Sequence, residues 1–236
     1  MNGTLYLFPT PIGENETYNC MPLFNGAILQ TCEGFVVEEI SSARKFLRKA
    51  GFNKNFDQIA FYELNEHTDT DCIDEYLELI YEGKNLGLLS EAGLPCVADP
   101  GWQLVRLAHQ HRIKVVPLAG ASSLMLALMA SGLCGQNFAF VGYLPAKTSH
   151  CEKAIQALEH KALQDGQVQI FIEAPYRNNR LLGSILKVLH ADTILCVATD
   201  LMLPSEQIIT KSAAEWRKIK WNIHKRNSVF LIGRQE

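Results

Sequence analysis

The sequence is defined first by what it lacks. No apolar run approaches the ~20 residues that cross a bilayer; the longest, such as residues 124–130, are far shorter. Met1 leads within a few residues into a polar Thr10-Pro11-Ile12-Gly13 turn. That is not a charged-then-apolar leader, so no membrane association and a cytoplasmic location are expected. There is no excess of positive charge: 22 Lys+Arg stand against 25 Asp+Glu, a net charge of −3. A protein that grips polyanions over its whole surface is excluded, and a local basic face is not. The seven cysteines, at 20, 32, 72, 96, 134, 151 and 196, are odd in number, scattered, and contain no C-x-x-C pair. Neither a disulfide framework nor a structural zinc site is expected, only buried or half-buried free thiols. The seven histidines form no H-x-x-x-H pair, and no metal is expected. No glycine is followed by G-K-[ST] and no G-x-G-x-x-G occurs, so neither a P-loop nor a dinucleotide fingerprint is present.

What is present is an ordinary globular composition, 47% hydrophobic and 20% charged, over 236 residues. That length suits one large domain or two small ones. Nine short runs rich in β-branched and aromatic residues read as strands, at 5–8, 35–38, 58–62, 85–89, 114–117, 138–142, 168–173, 193–199 and 228–233. Helical patterns lie between them, at 41–51, 71–82, 103–111, 122–131, 151–163 and 178–189. Alternation of this kind predicts an α/β protein with largely parallel sheets, and nine strands suit two sheets better than one. The best boundary falls near 117–121, where Gly120 opens a turn into a long helix. Two α/β domains, 1–118 and 119–236, are expected.

Charge is unevenly spread. Residues 57–82 hold nine acids and no Lys or Arg. Residues 211–226 hold six bases and one acid, Glu215, with Trp216 and Trp221 interleaved. Arg44, Lys45, Arg48, Lys49 and Lys54 form a second basic cluster. Each basic stretch is either a solvated face or a polyanion-facing edge, where Lys and Arg neutralise phosphates and Trp stacks on bases.

Three loops follow strand ends, the place where open α/β sheets hold ligands. They are Pro9–Gly13 (PTPIG), Leu88–Gly101 (LLSEAGLPCVADPG) and Pro117–Ser123 (PLAGASS). Each alone reads as an ordinary turn; all three at strand ends point to a ligand cleft. Two later loops repeat the arrangement: GYLPAK at 142–147, and FIEAPYR at 171–177, with Glu173, Tyr176 and Arg177 at its end. Glu173 beside Arg177 is either a turn-stabilising ion pair or a substrate-orienting pair, since Arg presents a fork to phosphate or carboxylate.

In this order the blocks LYLFPTPIG, LLSEAGLPCVADPGWQLVRLA, KVVPLAGASSLMLALMASGL, FVGYLPAK and FIEAPYR resemble the tetrapyrrole-methylase superfamily. They most resemble its branch of small-subunit ribosomal RNA 2′-O-ribose (cytidine) methyltransferases, over residues 4 to about 233. The resemblance implies two α/β domains with S-adenosylmethionine (SAM) held in the cleft between them, a homodimer, and ribosomal RNA or the small ribosomal subunit as partner. It further implies a SAM pocket lined by Pro11, by Ser90, Glu91, Ala92, Gly93 and Leu94, by Gly120, Ser122 and Ser123, and by Leu144, Pro145, Glu173 and Ala174. Such a pocket offers an apolar slot for adenosine, and backbone carbonyls and carboxylates for a sulfonium cation.

The chain departs from the family pattern at several places. The acidic-Asp-Thr-Arg motif is Glu38-Glu39-Ile40-Ser41, without its Arg; Ser-Asp-Ala-Gly is Ser90-Glu91-Ala92-Gly93; Arg-Glu-Leu-Thr-Lys is Thr199-Asp200-Leu201-Met202-Leu203, without its bases. Glu-Ser-Pro-His-Arg is Glu173-Ala174-Pro175-Tyr176-Arg177. Longer members carry a C-terminal extension, and this chain reads as a short form. A ribose hydroxyl is a poor nucleophile and benefits from a nearby base. Glu38, Glu39 and Glu173 are the candidates, while Lys147 or Arg177 would hold a phosphate. Other readings are methylation of a corrinoid or porphyrin precursor or of a protein side chain, a SAM-binding or ribosome-associated module without turnover, and a generic nucleotide-binding α/β protein.

Overall fold

The computed structural model describes residues 2–13, 21–65, 67–68 and 70–234. It divides into two compact units, Met1–Ser122 and Ser123–Glu236.

The first unit runs β1 (Thr4–Phe8), α1 (Leu23–Leu29), β2 (Cys32–Val37), α2 (Ile40–Lys49), β3 (Ala60–Glu63), α3 (Glu78–Tyr81), β4 (Asn85–Leu89), α4 (Trp102–Gln110) and β5 (Lys114–Pro117). The strands pair in the order β3-β2-β4-β1-β5, every pair parallel. Alternation along the strands sends successive side chains to opposite faces. Leu5, Val36, Leu86 and Leu88 pack on one face with Ile80, Leu104 and Ala108. Phe8, Phe35, Val37 and Leu89 pack on the other with Leu29, Ala43 and Leu47. A sheet buried on both faces explains why its strands read as near-continuous apolar runs.

The helix expected over 71–82 is instead a 3-10 segment, Thr70–Leu77, followed by the single α-turn of α3. Ile73, Leu77 and Ile80 are all buried. Three apolar positions are too few to tell a three-residue turn from a 3.6-residue one, so apolar periodicity did not separate the two. Helix α1, entered through Pro22 and carrying exposed Leu23 and Phe24, lacks the amphipathic spacing that would have marked it.

The second unit runs α5 (Ser123–Ala130), β6 (Phe138–Tyr143), α6 (Thr148–Asp165), β7 (Val168–Ile172), α7 (Asn178–Val188), β8 (Ile194–Thr199), β9 (Gln207–Ser212), α8 (Ala213–Trp216) and β10 (Ser228–Gly233). Its sheet order is β6-β7-β10-β8-β9. Here the expectation of a largely parallel sheet fails: β6–β7 is parallel, but β7–β10, β10–β8 and β8–β9 are antiparallel. The segment between β8 and β9 turns through left-handed Asp200 and Met202 (φ 51° and 65°). It is too short for the crossover that a parallel pair needs.

Strand β9, half exposed at the sheet edge, lies partly inside the basic run and was not anticipated. It leads into a capping box, in which the Ser212 hydroxyl accepts from the Glu215 N–H and the Glu215 carboxylate accepts from Ser212. The run is not a base-stacking face. Trp216 is fully buried, stacks on Trp221 with centroids 5.1 Å apart, and donates its indole N–H to the Leu195 carbonyl at 2.8 Å. Arg217 is spent on the Leu186 and Leu189 carbonyls, and Arg226 on Asp200, Gln207 and the Ser205 carbonyl.

Among the described residues no helix is long and apolar enough to cross a membrane, and Cys32, Cys96, Cys134, Cys151 and Cys196 are unbridged. Cys20 lies outside the described residues, as does the side chain of Cys72.

Central strand β4 fits only because Gly87 has no side chain. A Cβ there would sit 2.7 Å from a Phe35 ring carbon and 3.1 Å from one of Phe8. Gly87→Ala is expected to destabilise the protein by about 1–3 kcal/mol, the usual cost of overpacking a core, measured as a lowered urea midpoint with unchanged m-value.

Candidate functional site

Parallel pairing places the C-terminal ends of β1, β2, β4 and β5 on one edge of the first sheet, where open α/β folds hold ligands. The loops leaving β1 and β4 are tied by a two-way backbone bridge. The Thr10 N–H donates to the Gly93 carbonyl at 2.9 Å, and the Gly93 N–H to the Thr10 carbonyl at 3.1 Å. The buried Ser90 hydroxyl donates to the Gly93 carbonyl at 2.9 Å and lies 3.2 Å from the Thr10 hydroxyl. Gly93 has φ +88°, and a Cβ on it would meet the Ile12 side chain at 3.3 Å; glycine is required. The loop after β5 lies against the same turn, with the Ala121 carbonyl 3.9 Å from that Cβ position. It is held by buried Asn25 of α1, whose amide donates to the Ala119 carbonyl at 2.8 Å. Asn25 belongs to a helix not anticipated from the sequence, so nothing there signalled this role.

Carboxylates gather beside this edge. The Glu91 N–H donates to Glu38 at 3.4 Å, and the Ser42 hydroxyl donates to the Glu91 carboxylate at 2.6 Å. Burial pushes the Glu38 carboxyl up, and the Glu91 charge adds to the shift. Asp99 follows Cys96 and Ala98, which hold left-handed φ of 67° and 64°. One Asp99 carboxylate oxygen is buried with no hydrogen-bond partner among the described residues. Burial first, then the charges of Glu38 and Glu91, push the Asp99 carboxyl up to about 7. Glu39 plays a different part. It caps α2, accepting from the Ser41 and Ser42 N–H groups and the Ser41 hydroxyl, and the two backbone bonds hold its carboxyl below the ordinary range.

Of the residues named from sequence in the first unit, Pro11, Ser90 and Glu91 line one pocket of about 370 Å³, together with Lys45 and Lys49 of α2. Ala92, Gly93 and Leu94 continue the same loop, while Gly120 and Ser122 stand at the end of the third. The donor set fits a cationic, nucleoside-bearing ligand. It offers an orphaned buried carboxylate oxygen, two further acids and a buried hydroxyl pair.

In the second unit, Ser123 opens α5 and the loops after parallel strands β6 and β7 share an edge. Leu144 is buried, Pro145 and Lys147 are exposed, and Arg180 of α7 donates to the Ala146 carbonyl at 2.9 Å. Buried Glu173 accepts from the Ala174 N–H at 2.8 Å and from the Arg177 guanidinium at 2.6 Å. The turn-stabilising alternative for this pair is therefore the one present. Among the described residues no group of three or more His, Cys, Asp or Glu could hold a metal ion.

Asp99 carries a pH consequence. In the unfolded chain an aspartate ionises near 3.9, but in the folded chain near 7. Between these values the folded state binds more protons, so the stability contributed by this group falls as pH rises from about 4 to 7. Asp99→Asn is expected to flatten that part of the profile and to raise the melting temperature relative to the parent at pH 8, read by thermal denaturation across pH 5–8.

Residues 27–216 match the family of tetrapyrrole (corrin/porphyrin) methylases. The chain is 31% identical, over 92% of its length and 73% of the relative's, to ribosomal RNA small subunit methyltransferase I of Pasteurella multocida. It is 30% identical, over 98% of its length and 77% of the relative's, to the protein of the same name from Escherichia coli O157:H7. Among solved structures it resembles the methyltransferase CobJ (TM-score 0.64, 17% identity, 98% and 94% of the two chains). It also resembles a uroporphyrin-III C-methyltransferase from Thermus thermophilus complexed with S-adenosylhomocysteine (TM-score 0.56, 13% identity, 98% and 97%). The chain belongs to the tetrapyrrole (corrin/porphyrin) methylases, SAM-dependent methyltransferases.

Proposed function

We propose that this protein 2′-O-methylates a ribose of small-subunit ribosomal RNA. The observation that carries this reading is 30–31% identity over 92–98% of the chain to two ribosomal RNA small subunit methyltransferases I. The tetrapyrrole enzymes share the fold at only 13–17% identity.

SAM, when bound, supplies an electrophilic methyl group on a positively charged sulfur. The chain's own residues position and polarise. Pro11, the Ser90–Leu94 loop, Gly120 and Ser122 of the first unit are the donor-holding residues on this reading. The acids at the first sheet's edge favour a cation there. Alignment of the two reactants supplies much of the acceleration, since little else is required of a displacement at carbon.

Of the three candidate bases, Glu39 is occupied as a helix cap and Glu173 by Arg177. Glu38 is half-buried beside Glu91, and burial raises its carboxyl above the ordinary carboxylate range, which makes it the stronger base of the three. It is the proton acceptor on this reading; Lys147, exposed at the start of α6, is the phosphate holder, Arg177 being committed to Glu173. Exposed Leu23 and Phe24 support a homodimer, and the protein acts in the cytoplasm, where small-subunit RNA is found.

Purified protein is expected to bind SAM in isothermal titration and to transfer a labelled methyl group to small-subunit RNA or its particles. No transfer to porphyrinogens is expected. Label in a porphyrinogen but not in RNA would replace the acceptor, and absence of SAM binding by folded protein would remove the activity altogether. Glu38→Gln is expected to lower kcat by roughly 10²–10⁴-fold, the usual contribution of a positioned base, with SAM affinity changed less than threefold. An unaltered kcat excludes the role.

A further inference from the structure

The five bases of the α2 region divide into two groups. Arg44 lies over the Phe61 ring at 4.9 Å and the Phe56 ring at 5.5 Å. Arg48 lies 3.9 Å over Phe56 and donates to the Phe52 and Lys54 carbonyls. The Lys54 ammonium donates to the Cys32 carbonyl at 3.0 Å. These three hold the aromatic cluster and the chain around it. Lys45 and Lys49 do something else: both line the pocket that also contains Pro11, Ser90 and Glu91.

Residues 41, 45 and 49 are four apart and fall on one face of the helix. Position 41 is the uncharged Ser41, so the positive charge of this face lies at Lys45 and Lys49. Glu39 already satisfies the start of α2, so an anion would be met by the two ammonium groups and not by the helix end. Glu91 lies in the same pocket but is engaged by the Ser42 hydroxyl and stands beside Glu38. The pocket therefore holds one engaged carboxylate and two lysines, and the lysines suit an anion carried by the acceptor.

We propose that Lys45 and Lys49 together seat a backbone phosphate of the RNA acceptor. This rests on the RNA reading above. The test compares the parent with Lys45→Gln/Lys49→Gln and Lys45→Arg/Lys49→Arg variants. Binding of a fluorescent small-subunit RNA fragment is followed by anisotropy from 50 to 300 mM KCl, with SAM titrated calorimetrically in parallel.

Each phosphate contact contributes about 0.7–0.9 to the slope of log K against log salt. The double Gln variant is expected to bind RNA at least tenfold more weakly at 50 mM KCl, with a slope shallower by about 0.7–0.9. Its SAM affinity should stay within twofold of the parent, and the Arg variant should restore the slope. A slope unchanged in the Gln variant overturns the proposal. So does a loss of SAM binding with the RNA slope intact, which would assign the lysines to the donor's carboxylate. A parent that binds SAM but neither binds nor methylates RNA overturns the RNA reading itself, and the proposal with it.

Discussion

The candidate site in the first unit depends on the two-way backbone bridge between Thr10 and Gly93. Strands β1 and β4 are neighbours in a parallel sheet, and the loops leaving neighbouring parallel strands have no hydrogen bonds of their own to hold them together. The bridge supplies two, the Thr10 and Ser90 hydroxyls add a third between the loops, and the Ser90 hydroxyl braces the Gly93 carbonyl within its own loop. Buried backbone groups left unpaired would cost about as much as the bonds they lose, so the turn is fixed where it stands. That placement sets the pocket wall at Pro11 and Ser90 and brings Glu91 within reach of α2.

Helix α2 is the second organising element, and its charges are distributed by task. Glu39 caps it, Ser42 takes hold of Glu91, Arg44 and Arg48 cover an aromatic cluster, and two lysines line the pocket. Burial and the Glu91 charge raise the proton affinity of Glu38, and burial with the charges of Glu38 and Glu91 raises that of Asp99. Like charges held together in a partly dry site are unfavourable, and they are found where function needs them. A buried Asp99 oxygen without a partner among the described residues marks the same strain. A cationic ligand would relieve it.

The second unit spends its charges differently. Glu173 and Arg177 neutralise each other across a single turn, and Glu159, buried on α6, accepts from the Thr193 hydroxyl and the His190 N–H. Its basic run is consumed by carbonyls and by a tryptophan pair in the core. Apart from exposed lysines such as Lys218 and Lys220, the cations that a sequence plot shows as a patch are tethers between loops.

Much of the fold was written in local pattern. Nine strand positions, the loops at their ends and the α/β class follow from apolar runs and from Gly and Pro punctuation, which act over a few residues. Even the capping box at Ser212 and Glu215 was there to be read. Strand direction was not: β7, β8, β9 and β10 pair antiparallel because of how far the connections reach, a property of the path and not of any residue. Nor could sequence separate the two meanings of a charge. Glu39 and Glu38 are neighbours with the same side chain, yet one caps a helix and the other faces Glu91. Lys45 and Arg44 are adjacent, yet one lines a pocket and the other covers a ring. What a residue type can do was determined by the sequence alone. Which partner it meets was decided only by tertiary structure, because burial and electrostatic coupling depend on distances between groups far apart in the chain.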